Sequence, residues 1–259
     1  MFDTGRTITA GDAALFVAET GVPEGEPIVL LHGGLGSRTD FAALAARLGC
    51  DHRLVAIDSR GHGRSALGGE RLSYRRLAQD VAAVLAALGL TQAGIIGHSD
   101  GGIVALRLAT AETQPRFLVT VGAHWQLAED DPTRDLYRKI SEAQWREMFP
   151  AGVARYEAEN PAPDFARLFE ATRAMWLGNG PDAYPGETVR AIRAPLLVVH
   201  GDEDALVSRA QAAGLAERVP GARLLNLPFA THTVLQDDPD AVAPALRDFV
   251  AGAGRGAPG

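Results

Sequence analysis

Residues Ile95–Val104 read IIGHSDGGIV. A short apolar run ends in glycine, a serine stands between Gly97 and Gly101, and a helical pattern begins at once after it. If Gly94–Gly97 closes a buried strand, the chain must reverse over a residue or two. That puts Ser99 in a strained backbone conformation and demands small neighbours. The result is a hydroxyl lifted clear of the sheet, beside a helix N-terminus whose N–H groups favour negative charge. A glycine-rich turn with a helix-capping serine would have the same composition. G-x-S-x-G alone is therefore only a hypothesis, and the strand–turn–helix context gives it weight.

Similar apolar runs recur on both sides of this stretch. Ile28–Leu31 precedes LHGG, Leu54–Ile57 precedes DSRGHGRS, and RFLVTVG, APLLVVHGD and the shorter ARLLNL follow. Unbroken apolar runs bounded by Gly or Asp suit strands buried on both faces. Between them lie helical patterns. Ser73 is placed to cap a helix whose apolar face is Tyr74, Leu77, Val81, Val84, Leu85 and Leu88, with Gly89 as its stop. Residues 101–110, 208–218 and 239–251 read likewise. Strands alternating with helices predict an α/β protein with a doubly wound, mostly parallel sheet. The alternation fails between residues 123 and 187, where all three tryptophans and three of the four tyrosines fall. This stretch is expected to be a helical cap inserted into a core formed by 1–122 and 188–259. Trp125, Trp145 and Trp176 are its candidate substrate-binding residues, although they would equally serve as the cap's own core. The final GAGRGAPG is expected to be a frayed tail.

The 259 residues are 46% hydrophobic, ample for a large core, and carry a net charge of −7. No basic stripe points to nucleic acid. No apolar run reaches the roughly 18 residues of a membrane span, and the N-terminus lacks a secretory signal. Cys50 is the single cysteine, which suits a reducing compartment, so a soluble cytoplasmic protein is expected. Metal ligation is not implied, because the histidines lack ligand spacing and one thiol cannot build a thiolate site. Nor is a nucleotide cofactor, since GGLG lacks the Walker lysine and the dinucleotide spacing.

A serine hydroxyl needs a base. Of the seven histidines, His232 sits after the last strand pattern and before the last helix. Loops after strand C-termini converge on one rim of such a sheet, so His232 can reach Ser99. An acid must then orient the imidazole, and Asp202, Glu203 and Asp204 lie just past another strand end. Oxyanion donors are expected from the backbone N–H of Asp100 and from the loop after the first apolar run, at Gly34 with Leu35 as second choice.

LHGGLG, DSRGHGRS, GHSDGG and HGDEDALV, in that order and with a late histidine in ATHTVLQDDPD, resemble the α/β-hydrolase superfamily over nearly the full length. The resemblance implies Ser99 as nucleophile, Asp204 as acid by H-G-x-x-D spacing with Asp202 still open, and His232 as base. It also implies a structural turn at Asp58–Ser65 braced by His62 and Arg64. The aspartate after the serine is similar to the elbow of valacyclovir hydrolase-like carboxylesterases. Carried over, that would aim Asp100 at a substrate ammonium; the plain alternative is a carboxylate complementing a helix dipole. The function expected is a cofactor-free hydrolysis of small-molecule carboxylic esters or lactones through an acyl-enzyme. Carbon–carbon bond hydrolysis or perhydrolysis would use the same triad. A ligand-binding receptor with little turnover is the reading from another class.

Overall fold

The structure, a computed structural model, describes residues 1–110 and 114–253. Eight strands form one sheet: β1 (Arg6–Ala10), β2 (Ala13–Gly21), β3 (Glu26–Leu31), β4 (His52–Ile57), β5 (Gly94–His98), β6 (Leu118–Val121), β7 (Leu196–Gly201) and β8 (Arg223–Leu227). Their order is β1-β2-β4-β3-β5-β6-β7-β8. All pairings from β4 to β8 are parallel, and the β1–β2 and β2–β4 pairings are antiparallel.

Alternation along each central strand builds two core layers. Ile28 and Leu30 of β3 face one side with Leu54, Ile96, Val119 and Val199. Val29 and Leu31 face the other with Val55, Ile95, Leu118 and Val198. The period of two sends neighbouring side chains to opposite faces, and both faces are covered, so no polar alternation appears in these strands. Helices α1 (Ala42–Leu48), α9 (Val234–Asp237) and α10 (Pro239–Ala253) pack on the first layer. Helices α2 (Tyr74–Ala87), α3 (Asp100–Ala109) and α8 (Arg209–Arg218) pack on the second. Ser73 caps α2 through the Arg76 N–H, and Gly89 takes a φ of +66° just past its end. Ser208 likewise caps α8 through Gln211. Helix α10 includes the first two residues of GAGRGAPG; the other six, 254–259, lie outside the described residues.

The N-terminal hairpin β1–β2 is the element that pattern reading missed. Its turn is Gly11-Asp12, with Gly11 at φ +61°, and Leu15 to Ala18 of β2 are buried. Between β6 and β7 lie four α-helices, α4 (Pro132–Lys139), α5 (Glu142–Met148), α6 (Pro150–Glu159) and α7 (Phe165–Trp176), and a 3-10 helix at Gly186–Ala191. Asp131, Ser141 and Asp164 cap α4, α5 and α7. Among the described residues no helix is long and apolar enough to cross a membrane.

The loop after β4 is held from inside by charge. Asp58 accepts the Arg38 and Arg64 N–H groups at 2.8 Å each and pairs with the fully buried Arg38 guanidinium at 2.7 Å. Arg60, also fully buried, grips both oxygens of Asp80 at 2.8 Å and pairs with Asp12 of the hairpin turn. Both residues expected to brace this turn do so, His62 by its side chain, whose Nδ1 bonds the Arg60 carbonyl at 2.9 Å, and Arg64 by its backbone N–H on Asp58. The arginine inside it is Arg60; the Arg64 side chain instead bonds the Asp3 carbonyl. Asp80→Ala should lower the unfolding free energy by on the order of 3 kcal/mol, because a buried guanidinium loses its bidentate partner. Urea unfolding measures this, and a loss under about 1 kcal/mol would show that Asp12 and solvent suffice for Arg60.

Candidate active site

Strand β5 ends at His98 and α3 begins at Asp100, leaving Ser99 alone to make the turn. Its φ of +50° and ψ of −118° are far from the ordinary regions for a non-glycine residue. Such a conformation costs about 1–3 kcal/mol and persists only where its surroundings over-determine it. They do so here. The Ser99 N–H donates to the Val121 carbonyl at 2.8 Å, and its carbonyl accepts from Gly102 and Ile103. A Cβ on Gly97 would fall 2.3 Å from the Gly101 oxygen, and one on Gly101 would fall 2.0 Å from the Leu31 oxygen. The glycine spacing is thus a steric requirement of helix α3 lying against β5 and β3.

The loops after β7 and β8 meet next to this turn. Asp204, its side chain 0% exposed, takes the Leu206 and Val207 N–H groups on Oδ1 and faces His232 Nδ1 with Oδ2 at 2.8 Å. Burial alone would raise its pKa. The bond from His232 and those from the Val207 and Leu206 backbone outweigh burial and hold it below the usual carboxylate range. An ionised Asp204 makes Nδ1 the protonated nitrogen of a neutral His232 and leaves Nε2 its lone pair. Asp202, the other acid left open by the sequence, turns to Arg209 and Asn226 instead.

Two residues that pattern reading did not single out support this pair. Gly122, at φ +56°, lies so close that a Cβ would sit 3.0 Å from both Asp204 Oδ2 and His232 Nδ1. His98, directly before Ser99, bonds the His232 carbonyl through Nε2 at 2.8 Å, and the two rings lie 5.0 Å apart. Burial, with His232 nearby, pushes the His98 pKa down to about 3, so it donates as a neutral imidazole. No hydrogen bond joins Ser99 Oγ to His232 among the described residues.

The loop after β3 forms the opposite wall. His32 Nε2 accepts the Ser59 N–H at 2.9 Å while Nδ1 bonds the Gly33 carbonyl, and Gly36 closes a turn onto that same carbonyl. Leu35, half-buried, has a φ of +59°. The N–H groups of Gly34 and Asp100 have no acceptor among the described residues. Gly34 stands against Asp100: a Cβ there would fall 2.5 Å from Asp100 Oδ2 and 2.8 Å from Trp176 Cζ2.

Asp100 itself is 6% exposed. Its Oδ1 accepts from Tyr74 Oη and its Oδ2 from Trp176 Nε1, each at 2.8 Å. Burial raises its pKa, while the Trp176 and Tyr74 bonds pull the other way. Of the three candidate tryptophans, only Trp176 is brought against this cluster. Trp145 lies one ring behind it, 5.8 Å between centroids. Trp125 is turned elsewhere: its N–H donates to the Gln211 carbonyl of α8 and the Arg218 guanidinium covers its ring at 4.1 Å. Gly101→Ala should destabilise the fold by about 1–3 kcal/mol through backbone overpacking. Thermal or urea unfolding would show it, and native stability in this variant would contradict the close approach of α3 to β3.

The comparisons with known proteins agree with this fold. A model described as the alpha/beta hydrolase family matches residues 28–245. The chain is 30% identical to esterase YbfF of Escherichia coli, over 86% of this chain and 92% of the esterase. It is 32% identical to serine hydrolase BPHL of Mus musculus, over 88% of this chain and 81% of the other. Among solved structures, the enol-lactonase of Burkholderia xenovorans LB400 superposes with a TM-score of 0.76 at 21% identity, covering 95% of this chain and 99% of that one. Most of the chain matches the family model, and the sheet order and the turn at Ser99 are as described above, so the chain belongs to the alpha/beta hydrolase family.

Proposed function

We propose that this hydrolase cleaves carboxylic esters or lactones through a covalent acyl-enzyme, using its own side chains and no cofactor. Ser99 is the nucleophile, His232 the general base and then acid, and Asp204 the group that orients the imidazole and stabilises its cation. The backbone N–H groups of Asp100 and Gly34 receive the oxyanion. The helices between β6 and β7 form a cap that shapes the substrate site.

The observation that carries this reading is the strained Ser99 at the start of α3, next to a formed His232–Asp204 pair drawn from two distant loops. Chemistry follows from that placement. His232 Nε2 takes the hydroxyl proton as Ser99 Oγ attacks the carbonyl carbon. The carbonyl oxygen gains the charge, and the two unpaired N–H groups at the α3 terminus and the β3 loop are the donors available to it. The imidazolium returns the proton to the leaving alkoxide, the ester C–O bond breaks, and the acyl group stays on Ser99. Water, deprotonated by His232, attacks the acyl-enzyme; the acid departs and the hydroxyl is restored. Throughout, the depressed pKa of Asp204 keeps it a carboxylate beside the imidazolium. The names of the relatives, an esterase and a serine hydrolase, support this acyl-transfer reading.

A p-nitrophenyl ester should give a burst of nitrophenolate stoichiometric with protein. Ser99→Ala should lose the burst and at least about 10⁴-fold in kcat, and Asp204→Asn about 10⁴-fold. Pre-steady-state absorbance and mass spectrometry of the acylated peptide make the test. A folded Ser99→Ala protein with native turnover would end the proposal.

A further inference from the structure

We infer that Asp100 is a positioning residue: its carboxylate holds the Trp176 indole against Gly34, and the indole so held limits the size of the substrate group beside the oxyanion loop. The second clause rests on the serine-hydrolase reading above.

A carboxylate next to a nucleophile has three uses: to attract a substrate cation, to complement a helix dipole, or to hold another element in place. Position in the first turn of α3 is consistent with the second use. The contacts favour the third. Both oxygens are engaged at 2.8 Å by donors from two separate elements, Tyr74 at the start of α2 and Trp176 at the end of α7. Tyr74 is fully buried, Trp176 is 4% exposed, and no arginine, lysine or histidine pairs with Asp100 among the described residues. A buried carboxylate without a cation depends on its hydrogen bonds, so these two donors are its stabilisation. A substrate ammonium would meet a carboxylate already wrapped by aromatic rings.

The indole is fixed from its other sides too. It stacks on Tyr137 with centroids 4.7 Å apart and planes at 27°. Its backbone carbonyl accepts from Tyr184 Oη at 2.9 Å. Its Cζ2 and Nε1 stand 2.8 and 3.1 Å from where a Gly34 Cβ would be. A substrate whose oxyanion sits at the Gly34 N–H therefore meets the edge of this ring, and the ring cannot retreat without leaving Asp100 and Tyr137.

The test is kcat and KM for p-nitrophenyl acetate, butyrate and octanoate with native protein, Asp100→Leu, Asp100→Asn, Trp176→Phe and Trp176→Ala, alongside alkyl fluorophosphonate labelling at Ser99. Asp100→Leu and Trp176→Ala should raise the octanoate-to-acetate ratio of kcat/KM tenfold or more, chiefly through KM for octanoate. Trp176→Phe, which keeps ring bulk but loses the N–H, should raise it less. Asp100→Asn should restore most of the native ratio relative to Asp100→Leu, because its amide oxygen can face the indole N–H while its NH₂ donates to Tyr74 Oη. If Asp100→Leu does not fold, Trp176→Phe and Asp100→Asn carry the test, and an unshifted ratio in the first or a rise of tenfold or more in the second overturns the inference. An aminoacyl p-nitrophenyl ester is assayed beside the three acyl esters, and its selective loss of turnover in Asp100→Asn also overturns the inference, since that would mean the charge itself binds substrate. Native protein that labels at Ser99, with variants of unchanged chain-length preference, overturns the inference alone. Native protein that neither labels nor turns over any ester overturns the hydrolase reading and the inference with it.

Discussion

Helix α3 lies so close to β5 and β3 that no side chain fits between them. Gly97 and Gly101 face each other across this contact, and Gly102 meets Ala123 with only 2.6 Å for any added Cβ. The close approach leaves one residue to turn from strand to helix, and that residue is forced to a positive φ. Everything else in the candidate site is arranged around the point so made. Strain of about 1–3 kcal/mol at Ser99 is affordable because both of its backbone polar groups are hydrogen-bonded and its neighbours are buried.

The sheet order then decides which loops can reach that point. The chain leaves β3 toward β4 and leaves β5 toward β6, so the connections after these two neighbouring strands run in opposite directions, which is where sheets of this kind place a ligand. The loop after β3 lies against Ser99, and the loops after β7 and β8 supply Asp204 and His232. The loops after β3 and β4 are stiffened by buried polar groups. Asp58 gathers Arg38 and the Arg64 N–H, and Arg38 reaches on to Glu159. The Asn160 amide donates to the carbonyls of Gly61, Gly63 and Ser65, so the end of α6 is tied to the same turn. A second tie runs through Asp100, from α3 to both α2 and α7. Such networks hold geometry well because any member left unpaired in a dry interior is costly.

Much of this is legible in the sequence. The central strands are continuous apolar runs because both of their faces are covered, and a helix such as α2 announces itself through a period near 3.6, a capping serine and a terminal glycine. The N-terminal hairpin was harder. Its Gly-Asp turn and the run Ala13–Ala18 are present in the chain, yet β2 is buried on both faces and so lacks the clean alternation expected of an antiparallel strand. Trp125 and Trp176 both fall in the stretch without buried-strand patterns, and nothing in the sequence says which of them faces the turn at Ser99. One ends under Arg218 and the other on Asp100, because their helices and loops approach different parts of the sheet.

By itself, then, the sequence determined the α/β architecture, the serine in the tight turn between strand and helix, and the rim on which the loops after the strands converge. Those follow from local regularities: hydrophobic period, glycine spacing, and the order of strand ends along the chain. Only the tertiary structure decided that Asp204 and not Asp202 faces His232, that His98 and Gly122 support the pair, that Arg60 is the arginine inside the β4 turn, and that Asp100 is engaged by Tyr74 and Trp176. Each of these turns on the direction of a side chain, or for Gly122 the place of its backbone, relative to a residue tens of positions away. A difference of two residues in a loop leaves composition and spacing almost unchanged, but it reverses which way a carboxylate points.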